Sequence, residues 1–358
     1  MKVCLTDPKK DPAAWAASLG ISREAIEIYL ASDVVDLHID SFIWTRIFGY
    51  DLTRRHDRGL FGARFYSQVD IPRIRETEIT GGVWIITTNP LRSGSSRART
   101  FTKNLARLKA IFEQCPSDVA FVRTASEYRD AREKKLHAAF VGIQGGNAVD
   151  ADVGLLTSDI VLVTLVHLSS SRLGASSAPN AISALGGGKG GLTAAGKDYV
   201  RALNDKRIFV DLAHISRRGF FDALRVHDRS QPVIVSHTGV SGVYRHWRNL
   251  DDDQLRAVAD TGGTIGIMFH WPFLGGGFCG CSAERVVMHL EHIVSTVGED
   301  FASLGSDWDG AILTPCDMAT CRELPRLVQH MLDRRWSEER IHKVLGGNWL
   351  RTLAELRP

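Results

Sequence analysis

The stretch Val34-Val35-Asp36-Leu37-His38-Ile39-Asp40 is a short apolar run that ends in polar, chemistry-bearing side chains. Its form recurs down the chain. Val83 to Thr88 is a second run, and Ala138 to Ile143 leads into Gln144. Val161 to Val166 leads into His167, Ile208 to Ala213 into His214, and Val233 to Ser236 into His237. Thr264 to Phe269 leads into His270, and Ala302 to Ser306 into Asp307. Continuous β-branched runs are what strands buried on both faces look like. Amphipathic segments lie between them, and strands alternating with helices argue for parallel βα units. Eight runs are the number that closes a barrel, so the predicted fold is α/β, a single (β/α)8 TIM-type barrel.

The segments between the runs carry helix signals. Thr102 to Glu113 has Leu105, Leu108, Ile111 and Phe112 near helical spacing. Thr193 is positioned to cap a helix running to about Asn204, and Asp251 to Asp260 has acidic residues in its first turn, as the helix dipole favours. Ala283 to Val297, Glu323 to Asp333 and Ser337 to Leu345 complete the set, with Gly346-Gly347 expected to stop the last. Residues 1–32 read as a short N-terminal helical extension, with Ser22 capping a helix through Tyr29, and residues 33–358 as the barrel. Ser176 to Gly191, rich in Ser, Gly and Ala, reads as a flexible loop or lid, and its Gly186 to Gly191 stretch lacks the spacing of a phosphate-binding P-loop.

Composition excludes several classes. The 358 residues are 44% hydrophobic and 24% charged with a formal charge of +3, so there is enough apolar material for a large core and no basic surface for nucleic acid. No uninterrupted apolar stretch is long enough to span a membrane, and the first residues lack the apolar core of a secretory signal. Six cysteines include no Cys-x-x-Cys pair; Cys279-Gly280-Cys281 lies in a Gly-rich loop, and free thiols in a reducing compartment are the expectation. The location expected on these grounds is the cytoplasm.

In such a barrel the working groups come from strand C-termini. One histidine there is usually a hydrogen-bonded structural residue. Histidines at five of the eight ends converge on one mouth, and imidazole with carboxylate suits zinc. His38 and Asp40, two residues apart on a strand, face the same way and can grip one cation. His289 and His292 fall on a predicted helix and are expected to be exposed rather than ligands, and His270 is assigned at most a supporting role. Phe42, Trp44 and Tyr50 follow the first pair and are placed to shape a pocket. Of the tryptophans, most are expected in the core, with Trp308 beside Asp307 lining the site.

Taken in order, Asp36-Leu37-His38-Ile39-Asp40, Gly142-Ile143-Gln144-Gly145-Gly146, Leu165-Val166-His167, Val210-Asp211-Leu212-Ala213-His214, Pro232 to His237, Arg248-Asn249-Leu250 and Gly305-Ser306-Asp307-Trp308-Asp309-Gly310 resemble the membrane (renal) dipeptidase family of the amidohydrolase superfamily. The resemblance runs from about Val34 to Leu353. It implies zinc-dependent hydrolysis of small dipeptides by metal-activated water. His38 and Asp40 would hold one metal, and His214 and His237 another, with the residue at Gln144 between them. His167 would stabilise the oxyanion and contact substrate, Arg248 would bind the substrate carboxylate, and Asp307 would handle protons. Relatives form dimers, so a homodimer is also implied, although no stretch identifies the interface.

The sequence departs from the family at Gln144, where a bridging glutamate is the rule. A carboxylate offers two anionic oxygens, whereas an amide offers one neutral oxygen and an NH2 that repels cations. The expectation is therefore one zinc held well and a second held weakly or not at all. Asn147 stands where relatives often have His. Two other readings stay open: a single-metal amidohydrolase acting on another small carboxylated amide, and a degenerate barrel without hydrolase activity.

Overall fold

The computed structural model describes residues 7–56, 60–89, 92–179, 190–277 and 281–358. Cys4, Cys279 and most of the Ser176 to Gly191 loop lie outside them. Nine strands form among the described residues: β1 (Val35–Ile39), β2 (Gly81–Thr87), β3 (Val119–Phe121), β4 (His137–Gln144), β5 (Leu162–Thr164), β6 (Phe209–Asp211), β7 (Ile234–Thr238), β8 (Thr264–Ile267) and β9 (Ala302–Leu304). The pairings between them are parallel. They run β1-β2-β4-β5-β6-β7-β8-β9, and β9 returns to β1, which closes an eight-stranded (β/α)8 barrel. The eight strands are the eight runs of the sequence.

The ninth strand, β3, lies outside the barrel. It pairs with the first half of β4 (Val119 with His137, Phe121 with Ala139), and β5 takes that edge from Gly142 onward. Three residues, two of them half-buried, leave no periodic signal to find.

The helices mostly follow their signals. Thr193 accepts from the Gly196 amide at the head of the Ala194–Asp205 helix. Asp251 and Gln254 form a capping box on Asp252–Ala259. The helix expected from Thr102 starts earlier, at Gly94, under a Ser93 cap. Gly346-Gly347 does not end a helix. The Glu338–His342 helix widens into a π turn over Lys343–Gly347 and runs on as Asn348–Leu356. The missing side chain serves approach instead: a Cβ on Gly346 would lie 2.5 Å from the Asp33 carbonyl oxygen, so the turn presses on the entry to β1.

Two apolar clusters hold the elements together. The smaller joins Val35, Leu37, Val83, Ile85, Phe140, Phe209 and Ile234 to Trp349 and Leu353 of the last helix, with the Phe209 and Trp349 ring centroids 5.1 Å apart. The larger packs the surrounding helices against the strands. Trp84 and Trp349 are wholly buried, as expected; Trp308, expected to line the site, is wholly buried too and packs on Phe269, whereas Trp247 is exposed. The helices Pro12–Leu19 and Arg23–Ala31 lie on the barrel: the Ser22 amide donates to Gln329 Oε1 at 2.7 Å, and Trp15 Nε1 donates to the Arg322 carbonyl. No helix among the described residues is long and apolar enough to cross a membrane.

His289 corrects its expectation. It is fully buried, accepts from the Val240 amide through Nδ1, and lies 3.2 Å from the Leu274 carbonyl through Nε2. Burial pushes its pKa down to about 4, so it is a neutral strut under the loop that follows β7. The period of its helix places it on the face with Val286 and Leu290, which are both buried. His292 is half-buried and contacts Asp252 at 2.8 Å.

Candidate metal centre at the barrel mouth

The strand ends bring the expected residues together. The His38 and His237 rings are 3.8 Å apart between centroids, and His214 lies 4.8 Å from His237 and from His167. Donor atoms of His38, His237 and Asp307 fit within 4.8 Å of one another. His38 Nε2 is 3.6 Å from Asp40 and 3.9 Å from Asp307. Gln144 closes the opposite side, with its Nε2 3.4 Å from His214 Nε2, which is in turn 2.8 Å from His237 Nε2. His270 is not part of the group: its Nδ1 accepts from the Leu313 amide, and its ring meets Phe273. Phe42 and Tyr50 are buried, and Trp44 packs on Phe48 and Tyr66.

Local backbone explains how these groups aim inward. His214 and Asp307 both adopt left-handed conformations, φ 64° and 62°. Such angles are uncommon for non-glycine residues, and they turn the side chain just past a strand into the mouth. Asp307 is tied to β1, because its amide donates to the His38 carbonyl and the Asp40 amide donates to the Trp308 carbonyl. β1 and β9 therefore present His38, Asp40 and Asp307 as one unit.

A buried polar layer beneath sets the histidines, and nothing in the sequence reading anticipates it. Ser236 Oγ donates to Asp211 Oδ2 at 2.6 Å. With its proton committed, that oxygen accepts from His237 Nδ1 at 2.8 Å and lies 3.3 Å from His38 Nδ1. Both rings then keep Nε2 as a lone pair facing the mouth, as an outer contact does for a metal-binding imidazole. Asp36 plays a matching part under β1, where its Oδ1 accepts from the His38 and Ser306 amides. Burial raises its pKa to about 6. The signal that could have found this layer is positional: an Asp two residues before His38, an Asp three before His214, and a Ser directly before His237.

Electrostatics at the mouth favour a positive guest. Burial opposes charge on His38, but Asp40 and Asp307 outweigh it and hold its pKa above the ordinary histidine value. Burial lowers His167 to about 4 and drives His214 and His237 well below the normal range. Asp307 is raised well above the usual carboxylate range by burial, against the pull of His38 and Arg248. Arg248, 3% exposed, donates from Nη2 to the His237 carbonyl at 2.7 Å, and its Nε has no partner among the described residues.

These residues fit a divalent cation. His38 Nε2, Asp40 Oδ1 and Gln144 Oε1 are buried without a hydrogen-bond partner among the described residues. Buried acceptors of that kind are costly unless something satisfies them. Two imidazole nitrogens 2.8 Å apart and a pair of carboxylates are a borderline donor set, suited to zinc.

Residues 22–357 match the family model "Membrane dipeptidase (Peptidase family M19)". A protein of Klebsiella pneumoniae described as an uncharacterized protein in the pqqA 5' region is 33% identical over 166 residues, which is 46% of this chain and 60% of that protein's length. The probable dipeptidase PvdM from Pseudomonas aeruginosa superposes with TM-score 0.80 at 16% identity, covering 93% of this chain and 98% of that one. A metallopeptidase from Rhodobacter sphaeroides, liganded with a phosphinate mimic of L-Ala-D-Ala, gives 0.76 at 21% identity, covering 91% and 99%. At these identities the structures speak for the fold.

Proposed function

This chain belongs to the membrane dipeptidase family, peptidase family M19, whose members are metal-dependent hydrolases, and on that premise we propose that it is a zinc-dependent dipeptidase cleaving small amides with a free carboxylate on the amine half. The observation that carries this is the convergence of His38, His237 and Asp307 donors within 4.8 Å at the end of a closed barrel. His38, Asp40, His237 and Asp307 are the residues that would hold the cation, with His214 and the Gln144 oxygen beside them at the weaker second position. Bound there, a divalent cation supplies Lewis acidity to water and to the scissile carbonyl.

The chain's own groups do the rest. Arg248 offers an unpartnered Nε and a rigid fork to a planar carboxylate, next to the backbone of His237. His167, neutral because burial lowers its pKa to about 4, can donate one ring N–H to the carbonyl oxygen as charge develops on it. Asp307 accepts the proton of the attacking water and returns it to the departing nitrogen.

Gln144 supports one strongly held zinc rather than two. Its amide offers one neutral oxygen, buried without a partner among the described residues, and an NH2 that lies 3.4 Å from His214 Nε2 and repels a cation, so a second ion beside His214 lacks the bridging negative charge. Asp40 with His38 and His237 remains available to a single cation.

The test is hydrolysis of an L,L and L,D dipeptide panel by chelated and zinc-reconstituted protein. Cleavage that appears with zinc and disappears on chelation is the expected result. A folded, zinc-loaded protein that cleaves no member of the panel and no carboxylated amide would favour the degenerate barrel.

A further inference from the structure

Arg46 is a half-buried cation at the mouth that the reaction above does not use. It belongs to the short helix Phe42–Phe48, which follows Asp40 directly. Its Nη1 donates to the Thr87 carbonyl and lies 3.4 Å from Thr87 Oγ1. Thr87 is the last residue of β2 and pairs in register with Gln144. The guanidinium is thus set over the end of β2, one strand from Gln144, whereas Arg248 follows β7.

Among the described residues no carboxylate forms an ion pair with Arg46. Asp40 is close enough to favour the charge of Arg46, while Arg92 and Arg107 oppose it. Burial works against the charge more strongly than any of these. None of the three arginines forms an ion pair with a carboxylate among the described residues. Arg107 Nη2 instead donates to the Thr45 carbonyl, in the same helix turn as Arg46. A half-buried guanidinium at the mouth, with only Nη1 engaged at Thr87 among the described residues, offers its remaining donors to a carboxylate.

We propose that Arg46 binds a second carboxylate on the acyl half of the substrate, so that the preferred amide is an N-acylated amino acid with a dicarboxylic acyl group. Arg248 would hold the carboxylate of the amine half and Arg46 that of the acyl half, with the scissile bond between them over the His38 and His237 group. Water adds across the C–N bond, giving a dicarboxylic acid and a free amino acid, with no other reactant. This inference rests on the hydrolase reading above and refines its substrate.

The experiment compares N-succinyl-alanine, N-acetyl-alanine and alanyl-alanine, each with L- and D-alanine, on zinc-loaded wild type, Arg46→Gln and Arg46→Lys. Turnover and calorimetric binding are both read. The expected result is a preference for the succinyl substrate. Arg46→Gln should raise its KM and Kd about 10- to 100-fold, as loss of a charge-assisted pair does, and leave the acetyl substrate within about twofold. Arg46→Lys should restore part of the loss, which a variant that merely misfolds would not. Alanyl-alanine preferred, with both variants indifferent to the succinyl group, overturns the inference and leaves the dipeptidase reading standing. Binding of the succinyl compound that depends on Arg46, without turnover of any substrate, supports this site and counts against the hydrolase.

Discussion

Asp307→Asn is expected to lower kcat/KM for the best amide substrate by roughly 10²- to 10⁴-fold, the range that a lost proton-transfer group commands. Asparagine keeps the shape and tolerates the left-handed backbone at φ 62°, so the strand end should keep its path. Stability should not fall. Burial raises the Asp307 pKa in the folded chain, so an ionised carboxylate there is a cost to the fold. The sign follows: the cost is present at neutral pH and vanishes as pH falls below the unfolded value. A neutral amide removes it, and the chelated variant should melt at or slightly above wild type near pH 7. Thermal melts beside steady-state kinetics check both halves. Activity within tenfold of wild type would remove Asp307 from the proton-handling role.

Gly305→Ala is expected to be the most damaging single methyl group in the barrel. A Cβ there would lie 1.8 Å from the Ser236 carbonyl oxygen and 3.2 Å from His237 Cα. The obstacle is backbone, with no flexible end to move aside. Gly266 faces the same carbonyl at 2.1 Å, so β7 is held close from two neighbours. Forcing atoms into a packed interior costs about 1–3 kcal/mol. For a chain of this length the unfolding entropy converts that into a loss of roughly 1–4 °C in Tm, at about 1.3 °C per kcal/mol. The shift also displaces Ser236, which orients His237, so zinc affinity should fall with stability. An unchanged Tm and unchanged zinc binding would show that β7 and β9 have slack that the packing denies.

The eight barrel strands are legible because each is buried on both faces and so reads as an unbroken apolar run. His38, Asp40, Gln144, His167, His214, His237 and Asp307 are legible because the chain places polar residues at the ends of those runs. What stays hidden depends on contacts between distant segments. Ser236 is unremarkable until Asp211 takes its proton and two histidines approach its oxygen. His289 reads as exposed because a histidine on a helix says nothing of the Val240 amide it meets. Gly346 carries a stop signal for a helix, but the space it leaves is used by Asp33, and a π turn carries the chain onward. Arg46 gives no sign, since its position over β2 comes from the short helix after Asp40 and not from any local pattern.

Zinc titration of the chelated protein by calorimetry, repeated with Gln144→Glu, addresses the metal centre most directly. The predicted result is one tightly held zinc per wild-type chain, with a second gained only when the Gln144→Glu substitution supplies a bridging carboxylate. Two equally tight zincs in wild type, or none with the fold intact, would contradict it.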